Sequence, residues 1–253
     1  MKDFQLSNKD YASLASIARS SGRTPEAVLR QLIQSYGNEL VQPAHIDMDL
    51  APALNGAYKT QKQWIELYNS QQGEFKGKRM LTSSDVINVS DVVDSLEALA
   101  SLQRDCRKDW IVTSTHIGYT PANLSGTITH NYQSTVVQPR SITLDNIPVY
   151  QRESVKNVVE TSEGRAYLRA LADDRHINPV TLLKRLSLLS QREPKDIVLW
   201  TPDQSSRAAY SERAVRFVDD GHRFRVFGDN FFGVNVGRSR GVSVSLRSRR
   251  AKK

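Results

Sequence analysis

The amino-acid sequence predicts an α+β protein, in which a small helical N-terminal module precedes a larger mixed domain with an antiparallel β meander and helices. Residues 1–40 contain two short stretches with the apolar spacing of helices. Residues 110–150 contain several runs rich in β-branched and aromatic residues, separated by short turns. Consecutive strands with short turns indicate antiparallel pairing, because parallel strands need long crossover connections.

The composition is typical of a folded globular protein. Hydrophobic residues make up 39% and charged residues 25% of the 253 residues, which excludes disorder throughout the chain. No apolar run is long enough to span a membrane, and no signal-peptide core follows Met1, so we expect a cytoplasmic protein with no membrane partner. A lone cysteine, Cys106, excludes a disulfide within one chain and a zinc site built from cysteines.

The N-terminal module contains two predicted helices. The first begins at Ser7, whose hydroxyl can cap a backbone N–H while Asp10 follows three residues later, and it ends at Gly22. The second begins at Thr24, with Pro25 in the first helical position. Their apolar stripes are Tyr11, Leu14, Ala15 and Ala18, and Val28, Leu29, Leu32, Ile33 and Tyr36. Because two helices this short cannot bury their stripes alone, we expect a homodimer.

A short strand, a helix, the turn Ser21-Gly22-Arg23-Thr24 and a second helix resemble the ribbon-helix-helix family of DNA-binding dimers, over residues 1–37. In that family the strands of two chains pair into a ribbon that enters the major groove. The resemblance implies that Phe4 and Leu6 point inward and that Gln5 points outward, where its amide can bind adenine. The alternative is a plain helical hairpin that caps the larger domain.

The resemblance also implies phosphate contacts in this module. Thr24 and the backbone N–H groups after it would face phosphate through the N-terminus of the second helix. Lys2 in the strand and Arg23 in the turn are basic candidates for the same role. Asp3 is unsuited to face DNA, because phosphate repels its carboxylate.

Most of the net charge of +8 is concentrated near the end of the sequence. Residues 238–253 carry seven Lys and Arg residues and no acid, which leaves +1 for the other residues. Such a segment attracts phosphate without reading base sequence, and it is equally suited to be a solubilising tail. The candidate nucleic-acid contacts in the basic tail are Arg247, Arg249 and Arg250.

Residues 41–81 are predicted to connect the module to the larger domain. Pro43 and Pro52 interrupt this stretch, and Trp64 lies in a short amphipathic helical pattern. The loop at residues 71–79 has no apolar periodicity and contains glycine and lysine, as domain boundaries do. The predicted organisation is a module at 1–40, a connecting region at 41–81, an α+β domain at 82–246 and a basic tail at 247–253.

The larger domain is predicted to alternate between helical and β segments. After a helix that ends near Cys106, strands are predicted at residues 110–117, 124–137, 142–144 and 147–150. Helices are then predicted at residues 154–172 and 178–189, the second with Asn178 as N-cap before a proline.

A hairpin is predicted around Asp219-Asp220-Gly221-His222, because an Asp-Gly pair between alternating runs favours a tight turn. Arg216, Arg223 and Arg225 alternate with apolar residues along its strands, so one face is apolar and the other basic. These arginines either contact phosphates or face water.

Candidate catalytic residues are few. His116 and His130 share a sheet face if a three-residue loop joins their strands, and they lie on opposite faces if the loop has four residues. Asp145, Glu153 and Lys156 are residue types found in metal-dependent nucleases. No glycine-rich phosphate loop occurs at a strand-to-helix junction, so the sequence indicates no cofactor and favours a protein that is not an enzyme.

The sequence therefore favours a DNA-binding protein, with a dimeric regulator of transcription as the function that the family resemblance implies. One alternative is a non-enzymatic module that binds a protein or ligand and uses its N-terminus only to dimerise. A second alternative is a metal-dependent nuclease.

Overall fold

The computed structural model describes Thr24 and residues 47–89, 96–209, 211–231 and 236–244. The chain divides into two compact units, residues 1–44 and residues 45–253. The predicted ribbon-helix-helix module lies outside the described residues except for Thr24, which is exposed, so the module stays a prediction.

The described residues form seven α-helices and eleven strands. The helices are α1 (Gln61–Ser70), α2 (Ser83–Ile87), α3 (Leu96–Lys108), α4 (Val155–Val158), α5 (Ser162–Leu171), α6 (Pro179–Ser190) and α7 (Gln204–Ala209). The strands are β1 (Lys59–Thr60), β2 (Lys78–Met80), β3 (Ile111–Tyr119), β4 (Gly126–His130), β5 (Arg140–Leu144), β6 (Gln151–Ser154), β7 (Ile197–Trp200), β8 (Glu212–Asp219), β9 (Phe224–Phe231), β10 (Val236–Gly237) and β11 (Gly241–Ser243).

Seven of these strands form one mixed sheet in the order β5-β4-β3-β8-β9-β7-β6. Neighbouring strands are antiparallel except for β7 and β9, which are parallel. Strands β3, β4 and β5 form an antiparallel meander, as the sequence predicted. Because helices and a mixed sheet share one core, the α+β class is confirmed.

The structure corrects the end of the predicted meander. Residues 147–150 do not form a strand, because their backbone groups bond to loops: the Ile147 N–H donates to the Leu124 carbonyl at 2.6 Å, and the Tyr150 N–H donates to the Thr201 hydroxyl at 2.7 Å. The next strand is β6, which pairs with β7 at the opposite edge of the sheet from β5.

The predicted hairpin is present as β8 and β9, with Asp219 opposite Phe224. The Asp219 carboxylate accepts the Gly221 N–H at 2.9 Å, and the Asp220 N–H donates to the Arg223 carbonyl at 3.2 Å. Gly221 has a φ of 88°, a conformation that favours glycine and explains the strength of the Asp-Gly signal.

Helices α3, α5 and α6 cover one face of the large sheet. Leu102 of α3, Leu168 of α5 and Leu186 of α6 have no exposed surface and pack in the same core as Phe217 of β8. Burying a side chain of this size stabilises the fold by about 1.5–3 kcal/mol. Helix α6 starts as predicted, because the Asn178 side chain accepts the N–H of Val180, two positions on, at 2.8 Å.

Residues 47–81 are part of this fold and do not simply connect two domains. Helix α1 starts with a capping box, in which the Thr60 hydroxyl accepts the Gln63 N–H at 3.2 Å and the Gln63 side chain accepts the Thr60 N–H at 3.0 Å. Trp64 of α1 is fully buried, and its indole N–H donates to the Gly237 carbonyl at 2.8 Å. With Met80 and other apolar residues it packs on the second sheet face, and β1 and β2 pair with β10 and β11.

The basic end of the sequence also belongs in part to the fold. Arg240 has no exposed surface, and its Nε donates to the Asp105 carboxylate at 2.9 Å. Arg238 forms an ion pair with Asp109, with 3.4 Å between Nε and Oδ2. Two of the seven positive charges in residues 238–253 are therefore structural.

Candidate nucleic-acid interface

The second face of the large sheet carries a transverse row of aromatic and arginine side chains. In the strand register Arg216 of β8 lies beside Phe227 of β9, and Phe227 lies beside Trp200 of β7. Successive residues of a strand point to opposite faces, and Phe217 points into the core under the helices. The row therefore lies on the face opposite these helices.

Three rings form the apolar part of this row. The ring centroids of Trp110 and Phe227 are 4.9 Å apart with an interplanar angle of 40°. Those of Trp200 and Phe227 are 5.9 Å apart, and the rings are stacked at 17°. Phe227 is only 8% exposed, whereas both indoles are half-buried and keep accessible surface. Phe227 thus places a mostly buried apolar ring between two partly exposed indoles.

Two arginines lie against these indoles. The Arg216 Cζ lies 5.6 Å from the ring centroid of Trp110, and the Arg152 Cζ lies 5.4 Å from that of Trp200. Both distances fall within the range of a cation–π interaction. We call Trp110, Arg216, Phe227, Trp200 and Arg152 the aromatic–arginine row.

Arg152 reaches Trp200 from an unusual backbone conformation. The register between β6 and β7 shifts between Gln151 and Glu153, which makes Arg152 an extra residue in the ladder. Its φ is 65°, in the left-handed region that costs a non-glycine residue about 1–2 kcal/mol. The bulge turns this exposed side chain over the indole, so local backbone strain accompanies its placement.

Arg216 is a buried cation with few partners. It is 3% exposed, and its Nη1 donates to the Val236 carbonyl at 3.0 Å. Its Nε and Nη2 are buried and have no hydrogen-bond partner within the part of the chain that the structure describes. Burial lowers the pKa of Arg216 to about 10, against the opposing effect of Asp229, so the guanidinium stays charged at neutral pH.

The other two predicted arginines of the hairpin lie closer to solvent. Arg223 is exposed, and Arg225 is half-buried and forms an ion pair with Asp220. The predicted alternation is correct for Arg216 and Arg225, whereas Arg223 lies in the turn before β9. The expected exposure of Arg216 is wrong, because the segment at Val236 crosses over it. We call Arg152, Arg216, Arg223 and Arg225 the basic sheet face.

A cleft of about 370 Å³ adjoins the row at Trp110. Its lining combines basic and acidic side chains: Arg107, Lys108, Asp109, Trp110, Val218, Asp219, Asp220 and Gly221. Two of its carboxylates are engaged by arginines from outside the cleft, because Asp219 pairs with Arg192 at 3.0 Å and Asp109 pairs with Arg238. These ion pairs reduce the negative potential that the cleft presents to an anion.

The two histidines lie on opposite faces of the sheet. His116 pairs with Thr129, the register of a four-residue loop, so His130 faces the other way. The His116 ring stacks on Tyr132 at 3.9 Å and 11°. The Nε2 of His130 donates to the Ala170 carbonyl at 2.8 Å on the helical side. A shared acid–base or metal role for the two imidazoles is therefore excluded.

The acidic residues considered for a nuclease do not come together. Asp145 follows β5 at one edge of the sheet, whereas Glu153 belongs to β6 at the other edge. The Glu153 carboxylate accepts a hydrogen bond from the Asn157 side chain at 2.7 Å. Across the described ranges no three His, Cys, Asp or Glu side chains are grouped so that they could hold a metal ion.

The remaining predicted contacts lie mostly outside the described residues: Lys2, Gln5, Arg23, Arg247, Arg249 and Arg250. Sequence reasoning missed four members of the row: Trp110, Phe227, Trp200 and Arg152. A signal for Phe227 and Trp200 was present, because each occupies a strand position that alternates with core residues, and Trp110 directly precedes β3. No sequence signal indicated the bulge at Arg152.

Comparison of the chain with protein-family models, with curated proteins and with solved structures found no match. In the part of the chain that is described, no helix combines the length and apolar character needed to cross a membrane.

Proposed function

We propose that this chain is a DNA-binding protein, a dimeric regulator of transcription whose folded unit contacts DNA phosphates through the basic sheet face. One observation carries the proposal: Arg152, Arg216 and Arg225 lie with three aromatic rings on the sheet face opposite the helices, and Arg223 is exposed in the adjoining turn. Guanidinium groups bind phosphate through paired hydrogen bonds, and they stack on aromatic rings without losing charge. This combination is typical of surfaces that bind nucleic acid.

The charges of this face suit a polyanion. Arg152 and Arg223 are exposed, and the buried Arg216 retains its charge. Arg225 forms an ion pair with Asp220 in the hairpin turn. Phosphate contacts of this kind position a protein on DNA but carry no sequence information.

Sequence reading is assigned in this proposal to the N-terminal module. Gln5 is the proposed base reader, and Lys2, Arg23 and Thr24 are proposed phosphate contacts. Two copies of the module would pair to form the ribbon. Arg247, Arg249 and Arg250 of the basic tail would add attraction that is independent of base sequence.

Neutralising the three arginines of the basic sheet face that lie closest to solvent should weaken the salt dependence of DNA binding. In a full-length triple variant, Arg152→Gln, Arg223→Gln and Arg225→Gln, the logarithmic salt slope should fall by up to about 0.9 for each lost phosphate contact. A mobility shift on a duplex at about 50 mM and about 200 mM salt measures the change.

A matched control removes three exposed charges from the helical side, through Arg104→Gln, Arg175→Gln and Lys184→Gln. Both triple variants lower the net charge by the same amount, so a general charge effect would alter both slopes equally. Equal slopes in the two variants would refute the role of the basic sheet face.

Gln5→Ala in the full chain tests the proposed base reader. Loss of a bidentate adenine contact should reduce the preference for a selected site over a scrambled duplex by about 1–3 kcal/mol, while binding to the scrambled duplex is retained. Competition mobility shifts with the two duplexes measure this preference. An unchanged preference would remove Gln5 from the interface.

A protein-binding module is the second candidate, and one observation favours it. Four large hydrophobic side chains are exposed in β10 or in the stretch of chain that precedes β1: Leu50, Leu54, Tyr58 and Val236. An exposed apolar group of this kind is typical of a contact with another protein. Absence of duplex binding by the full chain at low salt would favour this candidate over DNA binding.

A further inference from the structure

We infer that the aromatic–arginine row binds single-stranded DNA, with unpaired bases stacked on Trp110 and Trp200 and a phosphate held by the exposed Arg152. This inference rests on the proposed function, because it specifies the form of DNA that this part of the sheet binds.

The order of the side chains fits a strand that crosses the sheet. Phe227 comes from β9 and Trp200 from β7, while Trp110 directly precedes β3; the ring of Phe227 lies beside each of the two indoles. A DNA strand that runs across the sheet would therefore contact one indole, then the ring of Phe227, and then the second indole. Aromatic rings stack with any of the four bases, so this contact does not depend on base sequence.

An unpaired strand fits this surface better than a duplex. In a duplex the faces of the bases are covered by neighbouring bases, so only phosphates and groove edges are accessible. The two half-buried indoles offer ring faces, which can bind only an unstacked base. The exposed arginines outside the row, such as Arg223, would contact either form of DNA.

The conformation of Arg152 supports a binding role for its side chain. A left-handed backbone at a non-glycine residue persists where the surrounding structure holds it, and such residues cluster at ligand sites. Here it places a cation directly over Trp200. A phosphate that follows a base stacked on Trp200 would lie within reach of this guanidinium.

Titration of the full-length protein with oligothymidylate of about 16 nucleotides tests the inference. Fluorescence anisotropy of the labelled oligonucleotide reports binding. Quenching of tryptophan emission reports stacking, since Trp110 and Trp200 are two of the three tryptophans and Trp64 is fully buried. Trp200→Ala should lower the affinity for the single strand by about 5-fold to about 150-fold, the range for one base stack.

Three further variants keep the result interpretable. Trp200→Phe retains a ring and should preserve most of the affinity. Arg152→Gly removes the cation at a position where glycine suits the backbone, so it should weaken binding without lowering the thermal midpoint. His176→Ala removes an exposed ring on the helical side and should leave binding unchanged.

The duplex of the same oligothymidylate with oligodeoxyadenylate separates this inference from the proposed function. Binding to the duplex but not to the single strand would overturn the inference and leave DNA binding intact. Equal single-strand affinity in the wild type, Trp200→Ala and Arg152→Gly would also overturn it, as would equal affinity for thymidine monophosphate and the oligonucleotide. Failure to bind either form of DNA would overturn the proposed function itself.

Discussion

Replacement of Arg240 by methionine is expected to destabilise the folded unit by about 3–5 kcal/mol. The guanidinium has no exposed surface, and it donates to Asp105, to the Ser101 hydroxyl at 2.8 Å and to the Asp49 carbonyl at 2.8 Å. Methionine would leave the Asp105 carboxylate, 7% exposed, without its cation. Urea denaturation followed by circular dichroism measures the change in the free energy of unfolding.

Two comparisons separate the loss of this buried pair from a general effect of the substitution. Arg140→Met breaks an ion pair with Asp173 in which the arginine is 61% exposed, and it should cost no more than about 1 kcal/mol. The double variant Arg240→Met, Asp105→Leu should recover part of the lost stability, because no charge is then left buried. A single variant as stable as the wild type would show that the pair contributes little.

Lowering the pH from about 7.5 to about 5 should cost about 2 kcal/mol of stability through His116 alone. Burial lowers the pKa of His116 from 6.5 to about 4, so the unfolded chain takes up a proton more readily than the folded chain. The stability is fully present above pH 6.5 and decreases as the pH falls toward 4. Glu212 lies 4.0 Å from the imidazole, and Tyr132 stacks on it.

His116→Phe keeps a ring against Tyr132 and removes the titrating group. The loss of unfolding free energy between about pH 7.5 and about pH 5 should therefore be smaller by about 2 kcal/mol in this variant than in the wild type. A smaller dependence should persist, because burial also lowers the pKa of His130. His222→Gln is the control, since His222 is exposed in the hairpin turn. Urea midpoints at the two pH values give the result; identical pH dependence in His116→Phe and the wild type would refute the assignment.

The elements that sequence predicted well are those specified by neighbouring residues. The Asp-Gly turn at Gly221, the N-cap at Asn178 and the amphipathic pattern around Trp64 all produce structure within a few positions of the signal. The antiparallel meander also follows from local turns. Its loop length set the register of His116 and His130, but the sequence alone did not distinguish three loop residues from four.

The features that sequence missed depend on residues far apart in the chain. Met80 pairs with Gly241, and Trp64 donates to the Gly237 carbonyl. The segment that contains Met80 and Trp64 has the sequence pattern of a linker, because these partners lie far along the chain. The aromatic–arginine row is assembled from several strands, and no local pattern records their order in the sheet. Alternation gave the correct face for Arg216, but its burial depends on the segment at Val236.

The pairing of β1 and β2 with β10 and β11 also determines when the fold can be completed during synthesis. Ribosomes add about 5–20 residues per second, and residues 236–244 emerge long after residues 47–80. Until then the apolar cluster around Trp64 and Met80 lacks its covering strands, and Asp105 lacks Arg240. The nascent chain therefore passes through a stage with exposed apolar surface, and such surface makes a folding intermediate prone to aggregation.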